Sequence, residues 1–233
     1  MQERDFIYSD LGKIDYQAAW ELQRELFDKR YKNVLPDILL LLEHNHTYTL
    51  GKTADKNNLI GSKNYLEENK ISVYDIDRGG DITYHGPGQI VGYPIISLEN
   101  WKKDTHKYLR AIEEVIIRTC SEFGINSSRN EKYTGVWVGD KKITAIGIKV
   151  SRWITMHGFA FNVNTDLKYF GGIIPCGIKD KAVTSIENEL KQKVNIESVK
   201  KLILKHFKDV FEYSGYESIT LEEMKNPGLL TVQ

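Results

Sequence analysis

The sequence predicts an α/β or α+β fold, because segments with helical periodicity alternate with short apolar segments that are typical of strands. Helical periodicity is clearest in three places, at residues 15–30, 104–123 and 196–212. Strands are predicted at residues 37–43, 46–50, 71–77, 90–96, 134–139, 142–150 and 153–163. Only Ser151 and Arg152 separate the last two strands, so we expect these strands to form a hairpin.

Each predicted helix has one apolar face. The second helix also has end signals, since Asp104 or Thr105 can cap its first turn and Gly124 follows its last turn. The apolar faces comprise Ala19, Leu22, Leu26 and Phe27 in the first helix, Leu109, Ile112, Ile116, Cys120 and Phe123 in the second, and Val199, Leu202, His206 and Val210 in the third.

The composition is that of an ordinary globular protein. Hydrophobic residues make up 41% of the 233 residues and charged residues 27%, a balance that argues against disorder. The 32 basic residues equal the 32 acidic ones, so we do not expect a nucleic-acid partner, which would need phosphate neutralisation. No linker rich in Pro, Gly or Ser divides the chain. We therefore predict a single catalytic domain over residues 1–233.

The sequence also predicts a cytoplasmic location without a membrane partner. The longest aliphatic run, residues 38–42, is too short to span a bilayer, and no apolar signal segment follows the first residues. The chain has two cysteines, Cys120 and Cys176. Two cysteines in a chain of this length do not indicate a disulfide framework, and a reducing compartment is expected.

Cys176 is a candidate nucleophile because it lies between Pro175 and Gly177. Proline restricts the entry to this turn, and glycine allows a tight turn with an accessible backbone N–H. A thiol on such a rigid turn could accept an acyl group. The tripeptide alone favours the alternative, an inert cysteine buried in a tight turn. Cys120, by contrast, lies on the apolar face of a predicted helix and is expected to be inert.

Lys142 opens a predicted strand that reaches Gly147. Strand alternation places Lys142, Thr144 and Ile146 on one face and Lys141 on the other. A lysine at this position can be a solvated surface charge. A lysine inside a pocket would instead favour the thiolate of a nearby cysteine and could transfer protons.

Residues 78–89 form a glycine-bearing segment that could approach a ligand closely. Within it, Arg78 could hold a carbonyl or phosphate group, and His85 could donate a hydrogen bond. A plain β-hairpin with turn glycines is the alternative. The segment lacks the glycine patterns of phosphate-binding and dinucleotide-binding loops, so neither kind of loop is expected.

His44 and His46 suggest a metal site, because residues two apart on a strand face the same side. The sequence offers no third ligand at a recognisable spacing. We therefore expect no metal, and we expect the two histidines to line a pocket or to cap a strand end.

Taken together, these segments resemble the lipoyl(octanoyl) transferases of lipoate biosynthesis. The resemblance covers roughly residues 40–190 in register and is carried by residues 78–94, 142–148, 152–163, 175–178 and 183–185. It implies a fold like that of the biotin and lipoate protein ligases, a mixed β-sheet with helices and a smaller sheet beside it. It also implies that Cys176 carries the acyl group and that Lys142 lowers the pKa of the Cys176 thiol.

The resemblance further implies the substrates. An octanoyl group would pass from octanoyl-acyl carrier protein to a lysine of the lipoyl domains of 2-oxoacid dehydrogenase complexes or of glycine-cleavage H protein, with no cofactor and no ATP. The implied substrate-binding residues are Arg78, Gly79, Gly80, Asp81, Ile82, Thr83, Tyr84, His85, Ala145, Ile146, Gly147, Gly158, Phe159 and Ala160. An octanoyl chain needs apolar walls, and the expected ones are Ile146, Phe159, Phe161 and Ile174.

Two other functions fit the sequence less well. An ATP-dependent lipoate or biotin protein ligase would share the fold, but it activates the acid by adenylation and does not need a nucleophilic cysteine. A non-catalytic module that binds lipoyl domains or carrier protein would need neither Cys176 nor Lys142.

Overall fold

A computed structural model describes residues 4–174 and 182–225 of the protein. These residues form an eight-stranded mixed sheet in the order β11-β1-β2-β6-β10-β9-β8-β7 and a three-stranded sheet in the order β4-β3-β5. The strands are β1 Asp5–Lys13, β2 Asp37–Glu43, β3 Thr47–Leu50, β4 Ser72–Asp75, β5 Ile82–His85, β6 Gln89–Ile95, β7 Ser128–Arg129, β8 Val136–Val138, β9 Lys141–Ser151, β10 Ile154–Asn162 and β11 Gly215–Ser218. The helices are α1 Tyr16–Tyr31, α2 Lys63–Glu68, α3 Thr105–Ser121, α4 Ile186–Leu190, α5 Ile196–Val210 and α6 Leu221–Lys225.

The large sheet is covered on both faces. Leu39 and Leu41 of β2 pack with α3 and α5, whereas Ile38, Leu40 and Leu42 belong to the core that includes α1. Both faces of β2 are therefore buried, which explains why its sequence is a continuous apolar run rather than an alternating one. The β1–β2 and β1–β11 pairs are parallel, and the pairs from β2 to β7 are antiparallel.

Helices α3 and α5, which cover one face of the large sheet, match their predicted positions closely. Asp104 caps α3 by accepting hydrogen bonds from two backbone N–H groups, and Gly124 follows the helix with φ +71°. The predicted apolar face of α5 was partly wrong. Val199 and His206 are buried as predicted, whereas Leu202 and Val210 are only partly buried. Ile203 and Phe207 are buried as well, and the Phe207 ring packs against an aromatic cluster at the end of the helix.

The predicted hairpin is confirmed, since β9 and β10 pair antiparallel with Ser151 opposite Ile154. The two residues between them, Arg152 and Trp153, have φ values of +50° and +60°. Positive φ at both positions is the geometry of the two-residue turns that suit the twist of a hairpin. The Arg152 guanidinium also lies 4.6 Å from the centre of the Tyr31 ring on α1.

Asp37 is expected to be one of the most important residues for stability. Its buried carboxylate accepts hydrogen bonds from Arg30 Nε at 2.7 Å, Tyr213 Oη at 2.7 Å and Ser97 N at 2.8 Å. The Asp37→Ala substitution would leave a buried guanidinium charge and two buried donors unpaired. We expect it to lower the free energy of unfolding by about 3–5 kcal/mol, measured by urea denaturation.

A surface ion pair provides the control for this prediction. Glu212 lies 2.8 Å from Lys102, but both side chains are about half exposed to solvent. Glu212→Ala should therefore change the free energy of unfolding by less than about 1 kcal/mol. Similar losses in the two variants would show that the Asp37 cluster is not a stabilising centre.

Candidate active site

A cavity of about 420 Å³ lies where the chain before β5 crosses over strands β9 and β10. Its volume is within the range of roughly 300–1,000 Å³ that is usual for small-molecule sites. The lining comprises Tyr16, Thr53, Arg78, Gly79, Gly80, Asp81, Ile82, Thr83, His85, Tyr93, Leu109, Lys132, Tyr133, Thr134, Lys142, Ala145, Ile146, Gly147, Ile148, His157, Gly158, Phe159 and Ala160.

The structure brings the three predicted substrate-binding segments together around this cavity. Among those residues, Tyr84 does not line it; its ring is buried in the small-sheet core, where it packs with Tyr169 and Phe170. Of the expected apolar walls, Ile146 and Phe159 line the cavity, whereas Phe161 is fully buried in the core with α3 and α5. Cys176 lies outside the described residues.

Glycines allow the crossing chain to lie directly on the sheet. Gly79 N donates to Ile148 O at 2.9 Å, and Gly147 lies opposite Gly158 in the β9–β10 ladder. A Cβ atom on Gly147 would lie 2.8 Å from Arg78 Cδ and 3.0 Å from Gly79 O. Glycine at position 147 is therefore required for this close approach of loop and strand.

Arg78 organises the loop that covers the cavity. Its Nη2 donates to Thr49 O at 2.7 Å and to Thr49 Oγ1 at 3.0 Å, and its Nη1 donates to Gly79 O at 2.9 Å. The guanidinium is buried, with 7% of the residue surface exposed. These contacts tie the loop to β3, and the positive charge lies at the cavity wall.

His85 is held in one orientation by a chain of hydrogen bonds. Gln89 donates to Tyr84 O at 3.0 Å and to Asn162 Oδ1 at 2.9 Å, so the Gln89 carbonyl oxygen faces His85 Nδ1 at 3.0 Å and accepts its proton. His85 Nε2 is then an acceptor and lies 3.3 Å from Thr49 Oγ1. Burial lowers the pKa of His85 well below its ordinary value, so the ring is neutral at pH 7.

Lys142 is buried at the cavity wall, with 8% of its surface exposed, and its Nζ lies 4.9 Å from the centre of the Trp137 ring. Lys141 is exposed on the other side of the strand, and its Nζ lies 3.8 Å from Glu189. The cavity is lined by Lys142 and not by Lys141, as predicted, but the β8–β9 pairing shifts register between Val136 and Trp137, so the predicted alternation from Lys142 to Thr144 is interrupted. Of the two lysines, Lys142 is therefore the one available to the cavity.

The described residues on either side of the segment 175–181 are both anchored near the cavity. Ile174 N donates to Asn58 O at 2.8 Å, and Asn58 Nδ2 donates to the carboxylate of Asp81, a cavity residue, at 2.6 Å. On the other side, Lys142 N donates to Ala182 O, and Thr184 N donates to Lys142 O, both at 2.9 Å.

Cys120 has the surroundings of an inert thiol. It is fully buried on α3 in the large core, as its helical position predicted. Burial raises its pKa to about 12, because the charged thiolate would lose its hydration there. Almost none of this cysteine is a thiolate at neutral pH.

His44 and His46 lie in the turn between β2 and β3, so the strand alternation on which the metal interpretation depends does not apply to them. His44 donates to Ile14 O at 2.9 Å and accepts from Tyr93 Oη at 2.8 Å, whereas His46 lies 2.7 Å from Tyr84 Oη. Burial lowers the pKa of His44 to about 4. Each ring therefore has its own partners within the protein.

Asp77 and His157 form a contact that the sequence did not predict. His157 Nε2 lies 2.8 Å from Asp77 Oδ1, and Lys149 Nζ lies 2.5 Å from Asp77 Oδ2. His157 lines the cavity and has a left-handed backbone with φ +57°. The single sequence signal was its place directly before Gly158.

The architecture is that of the enzymes that attach lipoate or biotin to proteins. A solved structure of lipoate-protein ligase A bound with ATP is similar with a TM-score of 0.72 and 16% identity, covering 98% of this chain and 94% of that chain. The bi-partite lipoate protein ligase from Thermoplasma acidophilum has a TM-score of 0.70 and 16% identity, covering 99% of this chain and 92% of that chain. Biotin protein ligase from Aquifex aeolicus has a TM-score of 0.51 and 13% identity, covering 90% of this chain and 70% of that chain. At these identities the likeness shows the fold.

Sequence comparison narrows the class to a family. The model of the lipoyl protein ligase A/B catalytic domain matches residues 15–208. The octanoyltransferase of Flavobacterium psychrophilum is 52% identical, with 87% of this chain and 95% of that protein covered. The octanoyltransferase of Rubrobacter xylanophilus is 51% identical, with 88% of this chain and 92% of that protein covered. The chain therefore belongs to the lipoyl protein ligase A/B catalytic-domain family and, within it, to the octanoyltransferases. Among residues 4–174 and 182–225, no helix has the length and apolar character needed to cross a membrane.

Proposed function

We propose that this protein transfers an octanoyl group from octanoyl-acyl carrier protein to a lysine side chain of a lipoyl domain, through a thioester on Cys176. The names and identities of its relatives support octanoyl transfer. Lipoyl domains of 2-oxoacid dehydrogenase complexes and glycine-cleavage H protein are the proposed acceptors. The cytoplasmic location stays a prediction.

One observation carries the proposed mechanism: Lys142 is buried at the cavity wall, and its backbone bonds to Ala182 and Thr184. Cys176 follows Ile174 by two residues, and Ile174 is anchored beside Asp81 of the cavity wall. The chain that contains Cys176 therefore leaves and rejoins the described structure at the cavity. This arrangement supports a reaction between a Cys176 thiolate and an acyl group held in the cavity.

Lys142 donates one proton in the first half-reaction and accepts one proton in the second. The Cys176 thiolate attacks the thioester carbonyl, and the carbon–sulfur bond to the carrier breaks. Lys142 gives a proton to the leaving thiolate of the carrier and becomes neutral. The lysine amine of the acceptor then attacks the Cys176 thioester and loses a proton to Lys142. The Cys176 thiolate leaves, and the thiolate and the ammonium group are restored.

The cavity supplies the other requirements of the reaction. Ile82, Ile146 and Phe159 give apolar surface for an octanoyl chain, which releases water on burial. Backbone N–H groups of the glycine segments are the proposed donors to the tetrahedral oxyanion. The acyl group arrives as a thioester, so amide formation is downhill and needs no ATP.

The test is a pair of reactions followed by intact-protein mass spectrometry. After mixing with octanoyl-acyl carrier protein, the enzyme should gain the mass of one octanoyl group and pass it to an added lipoyl domain without ATP. With free octanoate or lipoate and ATP, it should release no pyrophosphate. An ATP-dependent release of pyrophosphate would indicate a ligase, and the absence of any acyl adduct would indicate a binding module.

Gly147→Ala should impair octanoyl transfer while the protein still folds. The added Cβ would push Arg78 and Gly79 away from β9, and displacements of this kind can cost about tenfold to a hundredfold in rate. The rate is measured by transfer to a lipoyl domain, and folding by thermal unfolding. Gly171→Ala is the matched control, because nothing lies within 4 Å of its added Cβ. Equal rates in the two variants would contradict the role of the close loop–strand approach.

A further inference from the structure

His157 lies at the end of the cavity away from Lys142. It pairs with Ile148 in the β9–β10 ladder, and Ile148 comes six residues after Lys142 on β9. At about 3.3 Å per residue the two positions are roughly 20 Å apart along the strand. An extended octanoyl chain spans roughly 9 Å by ordinary bond geometry. A chain whose carbonyl lies beside Lys142 and that extends along β9 would therefore need about 16 carbon atoms to reach His157.

The backbone of His157 is fixed in a conformation that few residues other than glycine adopt. Its φ is +57°, and its N–H donates to Gln23 Oε1 on α1 at 2.8 Å. A left-handed backbone is costly for a residue with a side chain. The surrounding contacts thus maintain an unfavourable conformation at a residue that lines the cavity.

One nitrogen of the His157 ring has a hydrogen-bond partner, and the other has none among the described residues. Asp77 is a carboxylate, since its pKa lies well below the ordinary value through its contacts with His157 and Lys149. His157 Nε2 therefore carries the proton and donates to Asp77. Burial lowers the pKa of His157, so Nδ1 carries a lone pair. Nδ1 is buried, and no hydrogen-bond partner for it lies among the described residues.

We propose that His157 Nδ1 is a hydrogen-bond acceptor at the distal end of the acyl site and that it limits the length of the acyl chain. This inference rests on the proposed octanoyl transfer. A chain that stops short of His157 leaves room for a water that donates to Nδ1. A longer alkyl chain must expel that water and leave Nδ1 buried without a donor, which is unfavourable. A long chain that ends in a hydroxyl group can itself donate to Nδ1.

The proposal is tested first with the unmodified enzyme. Alkyl acyl groups on acyl carrier protein, from octanoyl to hexadecanoyl, are each compared with the isosteric chain in which a hydroxyl group replaces the terminal methyl group. Where the chain end reaches His157, we expect the hydroxyacyl group to be transferred about tenfold faster than the alkyl group. A hydroxyl group is normally a disadvantage in an apolar site, so faster alkyl transfer at every length would overturn the proposal.

Two variants identify the acceptor. His157→Gly removes the ring, and glycine adopts φ +57° without strain. The hydroxyl preference should disappear, and hexadecanoyl transfer relative to octanoyl transfer should rise about tenfold. His85→Ala is the matched control, because both nitrogens of His85 already have partners. His85→Ala should keep the hydroxyl preference even if its overall rate falls.

The outcomes separate this inference from the proposed function. If the hydroxyl preference persists in His157→Gly, another group is the acceptor and the proposal is wrong. If His157→Gly does not fold, the comparison in the unmodified enzyme decides alone. Octanoyl transfer with no hydroxyl preference leaves the proposed function intact and removes only the role of His157. No octanoyl transfer by the unmodified enzyme removes both.

Discussion

Cys176→Ala should abolish formation of the acyl-enzyme and reduce octanoyl transfer to lipoyl domains by about 10³-fold or more. The expected loss is large because the variant has no nucleophile with which to divide the reaction into two steps. Intact-protein mass spectrometry should find no octanoyl adduct on the variant. Peptide mapping of the acylated unmodified enzyme should place the octanoyl group on Cys176.

Cys120 provides the control in the same molecule. Its thiol is fully buried and has a pKa of about 12, so it has almost no thiolate at neutral pH. Cys120→Ala should keep the acyl adduct and most of the activity, although it loses some packing in the core. An octanoyl group on Cys120, or full activity in Cys176→Ala, would disprove the proposed intermediate.

Lys142→Ala should lower the rate of transfer by about 10²- to 10⁴-fold, the usual contribution of a general acid–base group. The ammonium group next to a thiolate favours the charged form, so its removal should raise the pKa of the Cys176 thiol. The pH dependence of alkylation at Cys176 measures this change. The thiolate fraction at neutral pH should be smaller in Lys142→Ala than in the unmodified enzyme.

Two further lysine variants separate charge from proton transfer. Lys142→Arg keeps a positive charge but cannot release its proton at working pH, so it should also be slow. Lys141→Ala should be nearly as active as the unmodified enzyme, because Lys141 is exposed and its side chain makes a surface ion pair with Glu189. Identical alkylation curves in Lys142→Ala and the unmodified enzyme would show that Lys142 does not tune the thiol.

The local signals of the sequence predicted the buried strands and long helices well. Residues 37–43 were predicted as a strand and form β2, because an uninterrupted apolar run matches a strand covered on both faces. The strand β5 was missed, since Ile82–His85 follows a glycine pair and its sequence is also typical of a loop. The strand β1 was missed too, because only Phe6, Ile7 and Tyr8 form an apolar run before polar residues begin.

The cavity could be predicted only through the family resemblance. Its walls come from segments around residues 78–85, 142–148 and 157–160, and spacing alone does not show that these segments meet. Lys142 could be distinguished from Lys141 by strand alternation, a local property. The contact between Asp77 and His157 joins residues 80 positions apart and requires a positive φ at a histidine. Neither feature leaves a pattern in the sequence.

The short strand β11 has a consequence far from the chemistry. Its residues, Gly215–Ser218, pair with the outer side of β1, and three of the four are exposed. A chain that ended before Gly215 would present the unpaired main-chain groups of β1 to solvent, and a second copy could pair with them. The late-synthesised end of the described chain thus protects the first strand against aggregation. Nascent polypeptides would remain vulnerable to this pairing until residues 215–218 have been made.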